Sequence, residues 1–328
     1  MINYIIKRVI HMFFILFVIS IISFVLIKAP PGDYLSTYIA NMETSGVQLD
    51  QKRIEALRTQ YGLDQPTYIQ YGKWMWQILR GNFGWSFYWK QPVNEILLQR
   101  LPFTILLSLI TLIFIYVVAI PIAIYSAVKQ YSIGDYGFTL MGFIGLATPN
   151  FLLALVLMYV FYKYFGISIG GLFSREYAHA PWSFAKIIDL INHSWVPIIV
   201  VGTAGTASII RVLRAMLLDE LRKPYVQTAR AKGVRERTLL FKYPVRVAIN
   251  PILSTIGWQL PFIISGFVIV SVVMDLPTIG FILLTALLAE DMYLAGSIIL
   301  LLSSLTVIGT LLSDILLCIV DPRIRYYK

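Results

Sequence analysis

Apolar residues in this chain are gathered into long blocks rather than spread at the short periods of soluble helices or strands. Val9–Ile27 is a continuous apolar run of about the ~20 residues that a helix needs to cross a bilayer. Similar blocks occupy Pro102–Ala127, Phe138–Tyr164, Trp195–Leu213, Pro251–Met274 and Met292–Cys318. Pro121, Pro149, Pro197 and Pro261 fall in or at the ends of these blocks, where neighbouring helices can re-satisfy freed backbone groups. The pattern predicts an all-α membrane protein with six transmembrane helices and both termini on one side. Met1–Arg8 is short and basic, and Lys28-Ala29-Pro30-Pro31 is a poor small-residue cleavage site. The first block is therefore expected to be a retained span, not a cleaved leader.

Two polar stretches interrupt the apolar blocks. In Pro30–Leu101, Asp50 can cap a helix reaching Tyr61, with Ile54, Leu57 and Tyr61 on one stripe and Gly62 ending it. Asp64-Gln65-Pro66 opens another helix, carrying Tyr68, Tyr71, Trp74 and Trp76; Phe83, Trp85, Phe87, Tyr88 and Trp89 follow. Aromatics this dense fit either a headgroup-level belt or a small packed lid. The expected organisation is an N-terminal span over 1–28, an extracytoplasmic segment over 29–101, a five-helix core over 102–318 with a polar loop at 214–248, and a tail over 319–328.

The second stretch, Leu221–Arg246, holds eight basic residues against one acid, Glu236. Pro224 suits the first position of a short helix, Gly233 suits its left-handed end, and Pro244 interrupts the helical run that follows. The reading is helix, elbow, helix. Val226, Ala229, Leu239, Leu240 and Tyr243 give it an apolar face, which a purely electrostatic lipid or nucleic-acid patch does not need. Docking of this face into a partner's groove is the expectation.

Composition supports the membrane reading: 58% of the 328 residues are hydrophobic and 13% charged, against roughly 25% charged in soluble domains. The distribution of the net charge of +10 sets the orientation. Sixteen basic residues and five acids lie in the segments on the N-terminal side, and eleven of each on the other. The termini and the basic elbow are thus expected in the cytoplasm. The lone cysteine, Cys318, excludes an internal disulfide framework and is expected to be a packed thiol.

Chemistry is sparse. No G-x-x-x-x-G-K-[ST] loop is present, so the chain itself is not expected to hold ATP. His11, His179 and His193 have no metal-ligand spacing, and no Ser-His-Asp set can be assembled, so no enzyme site is expected. Asp314 lies inside the last span, with Asp275 near a span end. Near the cytoplasmic face, Asp314 is expected to join a structural ion pair or meet water, and so few intramembrane charges argue against a proton pump. Uncharged polar groups are more numerous: Thr148, Asn150, Thr203, Thr206, Ser208, Ser254, Thr255, Gln259 and Ser265. Gly202-x-x-Gly205 with Ala204 and Ala207 is a helix-packing pattern. Asn150, Thr203, Thr206, Ser254 and Gln259 are the candidate lining of a hydrated path, and packing accounts for such residues equally well.

Tyr225-Val-Gln-Thr-Ala-Arg-Ala-Lys-Gly233 resembles the EAA loop of binding-protein-dependent ABC importer permeases, in the form used by the oligopeptide/dipeptide/nickel group. Ala56–Pro66, Leu79–Ser86, Ala147-Thr-Pro-Asn-Phe151 and Asp321-Pro-Arg-Ile-Arg325 are similar to the first permease subunit of that group, in the same order. The general motif's glutamate is Gln227 here, its first alanine is Thr228 and its late proline is Arg246. The resemblance implies a MetI-like core in the last five spans and an ATPase-coupling role for Tyr225, Gln227, Thr228, Ala229, Arg230, Ala231, Gly233, Arg235 and Leu239. It also implies partners: a homologous second permease subunit, two ATPase subunits that bind ATP and Mg, and an extracytoplasmic substrate-binding protein. No nucleic-acid partner and no cofactor in this chain are expected. Residence is expected in a prokaryotic plasma membrane, with alternating access driven by ATP. The implied cargo is oligopeptide. Oligosaccharide is the alternative, motivated by Tyr177, Trp182 and Trp195 in or near the Gly170–Asn192 loop, and the absence of His or Cys clusters disfavours nickel. An autonomous channel or ion-coupled carrier is the remote alternative.

Overall fold

The computed structural model of the protein describes residues 2–28, 65–86, 88–178 and 180–320. The helix expected from Asp50 to Tyr61, Phe87, His179 and the tail from Asp321 lie outside the described residues. The described chain is almost entirely helical. α1 covers Ile2–Lys28 and α2 Thr67–Leu79, starting directly after Pro66 as its fixed φ favours. A two-residue ribbon follows, β1 (Trp85–Ser86) antiparallel to β2 (Gln91–Pro92). Then come α3 (Val93–Val128), α4 (Ile133–Ala147), α5 (Asn150–Phe165) and α6 (Phe184–Leu221). The chain continues through α7 (Pro224–Ala231), α8 (Glu236–Lys242), α9 (Pro244–Ser254), α10 (Ile256–Val273), α11 (Ile279–Leu288) and α12 (Met292–Val320).

Four helices among the described residues are long and apolar enough to cross a membrane, and α4 with α5 makes a fifth if that bent pair is one span. With the shorter apolar α10, this is compatible with six spans. The helices depart from the apolar blocks at defined places. α3 begins at Val93, ahead of Pro102, because Val93, Ile96 and Leu97 are buried at helical spacing although Asn94, Glu95 and Arg100 dilute the local hydropathy. The Phe138–Tyr164 block does not form one straight helix: α4 and α5 meet at 107° across Thr148-Pro149. Pro149 forbids Thr148 a helical backbone, and Thr148 is extended at φ −91°, ψ 119°. The Pro251–Met274 block is interrupted at Thr255, whose hydroxyl takes up the Ile252 carbonyl. α11 was not anticipated, since it is too short to read as a span.

The chain divides into two compact units, one of residues 1–8, 103–277 and 308–328 and the other of 9–102 and 278–307. In the first, α6 is the axis. Leu190, Val196, Val200, Ile209, Leu213 and Leu217 put its apolar side into one core with Leu107 and Ile115 of α3, Ala154 of α5 and Ile263 and Phe267 of α10. Glycines let neighbouring side chains pack onto a helix backbone, and Gly202-x-x-Gly205 is one such place. A Cβ on Gly202 would stand 2.8 Å from the Phe114 ring, and one on Gly205 2.8 Å from Ile115 Cδ1. On α4, a Cβ on Gly145 would be 2.6 Å from Thr203 Cγ2.

Among the described residues, two ion pairs join segments of this unit that are far apart in sequence. Arg214 of α6 grips Asp135 of α4 in a bidentate fork, Nε to Oδ1 at 2.8 Å and NH2 to Oδ2 at 2.7 Å. Asp135 is 2% exposed and also accepts from the Tyr131 amide at 2.9 Å. The second pair is Arg8 to Asp314 at 3.1 Å. The ion pair anticipated for Asp314 is present, and its partner comes from α1.

The second unit has its own core of Val93, Ile96, Leu97, Ile279, Ile282 and Leu294 with Ala286, Ala295 and Ile298. Asp291, fully buried, organises its loops: it accepts from Ser86 Oγ at 2.6 Å, the Tyr88 amide at 3.2 Å and the Leu294 amide at 3.2 Å, the last capping α12. Phe24 packs on Tyr71 and Trp74 with centroids 5.4 and 5.7 Å away, so these aromatics form packed structure, while Tyr68, Trp76 and Tyr88 are exposed.

Removing one member of a buried ion pair strands the other and costs about 3–5 kcal/mol. Arg214→Met and Asp135→Leu alone should each lower the unfolding midpoint in detergent, and the double variant should lose clearly less than their sum. Additive losses would show that the two side chains do not act as a pair. Separately, Gly145→Val should cost about 1–3 kcal/mol through overpacking. Thr203→Ala in that background should recover part of the loss in the same thermal assay.

Candidate functional site: a basic elbow and a neutral cavity

The elbow forms as its punctuation predicts. Lys223 is extended at φ −67°, ψ 146°, and Pro224 takes the first position of α7, where no amide is needed. Gly233 has φ +75°, and the chain closes there in a Schellman arrangement: the Val234 amide reaches Ala229 O at 3.3 Å and the Gly233 amide reaches Arg230 O at 3.0 Å. Glu236 in the first turn of α8 suits the positive end of that helix. Pro244 then starts α9.

The apolar face assigned to a partner's groove is turned inward instead. Val226, Ala229 and Leu239 form a small buried cluster with Val234 and Tyr243 packed on it. The reason is the Gly233 reversal, which folds α8 back so that the two apolar stripes meet each other. Of the nine residues singled out here, Ala229 and Leu239 therefore pin the elbow, and Gly233 makes it. Tyr225, Gln227, Thr228, Arg230, Ala231 and Arg235 are exposed. Thr228 donates its hydroxyl to Pro224 O at 3.0 Å.

Two polar contacts stiffen the elbow. Arg230 clasps Glu236 across it, Nε to Oε1 at 2.6 Å and NH2 to Oε2 at 3.2 Å. This hydrogen bond holds the Glu236 carboxyl below, and the Arg230 guanidinium above, its ordinary range. A lowered carboxylate keeps its contribution above the ordinary value and loses it only as pH falls through the lowered one, so the clasp is closed at neutral pH. Tyr225 donates its phenol to Glu220, and desolvation together with that carboxylate pushes it up to about 12. Sequence reasoning passed over Phe241, which is 53% exposed on α8. The signal was there: it lies two residues from buried Leu239, on the opposite side of the helix.

The candidate path residues divide between two cavities, because residues of α6 two apart face nearly opposite ways. Val201, Ala204, Gly205 and Ser208 line one cavity of about 260 Å³ together with Asn150 of α5 and Gln259 of α10. Thr203 and Thr206 line a separate apolar crevice of about 200 Å³ against α3 and α4. Thr203 also spends its hydroxyl on Ile199 O at 2.5 Å. Ser254 ends α9, and its side chain lies outside the described residues. Asn150 and Gln259 are thus brought together, joined by Ser208.

Other features are structural. Trp182, one of the three aromatics behind the sugar alternative, is stacked on Phe103 at 6.3 Å and 24°, with Phe173 edge-on and the Lys186 ammonium 5.3 Å from its centroid. Trp195 packs edge-on against Phe161 at 5.5 Å. No cluster of His, Cys, Asp and Glu among the described residues could hold a metal.

Residues 119–326 match the family described as binding-protein-dependent transport system inner membrane component, and residues 1–110 match its N-terminal membrane component. The oligopeptide transport system permease protein AppB of Bacillus subtilis is 37% identical over 328 residues, covering 98% of this chain and 99% of the relative. A Brucella ovis protein provisionally named a peptide permease is 31% identical over 327 residues, covering 99% of each. A Sinorhizobium fredii protein, named with similar reserve a peptide ABC transporter permease, is 30% identical over 324 residues, covering 98% of this chain and 99% of the relative. A helical chain with several bilayer-length apolar segments, matched over nearly its whole length, is a multi-pass membrane permease: it belongs to the family of binding-protein-dependent transport system inner membrane components.

Proposed function

We propose that this chain is the first of two homologous permease subunits of an ATP-driven importer for oligopeptides. The observation that carries this reading is the self-pinned basic elbow within the family-matched region, a rigid handle with Tyr225, Gln227, Arg230, Ala231, Arg235 and Phe241 facing outward. Two ATPase subunits hold ATP and Mg and grip this handle, and an extracytoplasmic binding protein delivers cargo. ATP-driven closure of the ATPases moves the elbow; α9 follows it after Pro244, and the helix break at Thr255 passes that motion into α10. The spans then open outward to receive cargo and reset after hydrolysis. The chain catalyses no bond change itself. The peptide assignment rests on the names its relatives carry. Oligosaccharide stays the alternative cargo, since Trp182, although stacked on Phe103, is 62% exposed.

The basic balance of the segments puts the termini and the elbow in the cytoplasm of a prokaryotic cell. In a Cys318→Ser background, Gln70→Cys should react with a membrane-impermeant maleimide on intact spheroplasts, and Gln227→Cys should react only after permeabilisation. The reverse pattern would overturn the orientation. Gly233→Pro cannot adopt the positive φ of the elbow, so it should abolish ATP-dependent peptide uptake while the chain still inserts in the membrane. Phe241→Asp, which leaves the inner pin intact, should reduce co-purification of the ATPase subunits and lower uptake about tenfold or more. Uptake at the unsubstituted rate in both variants, or transport by this chain without any ATPase, would sink the coupling role.

A further inference from the structure

The 260 Å³ cavity lined from α3, α4, α5, α6 and α10 sets polar groups among apolar walls. Gln259 is 4% exposed as a residue and is part of that lining. Burying an amide without a hydrogen-bond partner costs about 1–3 kcal/mol, so an amide at the wall of a cavity favours a polar occupant. The space around the amide is cleared by glycine. A Cβ on Gly205 would come within 3.4 Å of Gln259 Oε1 while striking Ile115, and one on Gly266 would come within 3.1 Å of Asn150 Nδ2. Each amide of the cavity therefore lies over a helical glycine of another helix. Ser208, three residues beyond Gly205 and so on the same face of α6, adds a hydroxyl.

The chemistry of this lining is specific. It offers hydrogen-bond donors and acceptors together, between apolar walls of Leu146, Phe262 and Ile263, and no charged side chain among the described residues lines it. Two amides and a hydroxyl match a neutral planar group carrying one N–H and one C=O. They do not compensate the desolvation of an ammonium or a carboxylate.

We propose that Gln259, with Asn150 and Ser208, is an uncharged subsite that hydrogen-bonds one backbone amide of an extended peptide in transit. This rests on the peptide-importer reading above. The subsite reads what every peptide shares, its backbone, and leaves side-chain preference to other parts of the importer. It also disfavours a resting position with a charged terminus in the cavity.

The test uses the importer purified with its partner subunits through a tag on this chain and reconstituted in vesicles with labelled tetra-alanine as probe. Gln259→Leu should lower the number of peptides imported per ATP hydrolysed about three- to tenfold, with Gln259→Asn intermediate. General damage to the fold would lower import and hydrolysis in parallel and leave that ratio unchanged, which would overturn the subsite. A photoreactive p-benzoylphenylalanine in place of Phe262 should cross-link biotinylated tetra-alanine during turnover. Import without cross-linking would count against the subsite alone. Unsubstituted vesicles that import maltotetraose but no tetra-alanine would overturn the peptide reading, and the subsite with it.

Discussion

Packing of side chains onto the glycines of α6 and α4 is the constraint on which the larger unit depends. Lipid chains are as apolar as leucine, so burial alone does not hold helices together in a bilayer; contact at short range must do it. Gly202 and Gly205 admit Phe114 and Ile115 of α3, and Gly145 admits Thr203. Each contact would be filled by a single added carbon. In the same packed unit the Asp135–Arg214 fork closes over a buried carboxylate, and two sides of α6 become separate linings, one with polar groups and one apolar.

The same helix carries the cavity at one level and the basic elbow at its end. α6 runs without interruption to Leu221, and α7 begins three residues later. On its other side the elbow leads through α9 to the helix break at Thr255, which lies four residues before Gln259. The inward-turned pin of Val226, Ala229 and Leu239 gives the elbow a small core of its own.

The smaller unit solves a different problem. Its ribbon is two residues per strand and cannot stand on backbone pairing alone. The buried Asp291 carboxylate supplies what is lacking, collecting a hydroxyl and two amides from segments two hundred residues apart in sequence. Gly84, at φ +87°, leaves room for the Tyr293 ring, 2.8 Å from where its Cβ would be. Short polar segments beside spans are ordered here by one desolvated charge and by the packed trio Phe24, Tyr71 and Trp74.

What the sequence determined by itself was whatever is local and periodic. Bilayer-length apolar blocks, the Pro224–Gly233–Pro244 punctuation, the small residues of α6 and the one-sided charge were all legible, because each is set by neighbours within a turn or two. The Thr148-Pro149 break was written there too, although hydropathy averaged over it. Only the tertiary structure decided which stripe faces what. It turned Ala229 and Leu239 inward, because Gly233 folds one apolar stripe onto another. It parted Thr203 and Thr206 from Asn150 and Gln259, because positions close in sequence lie on opposite sides of α6. And it joined Asp135 to Arg214 across 79 residues of chain, a pairing with no local signature, since two charges of opposite sign look alike in sequence whether solvated or buried together.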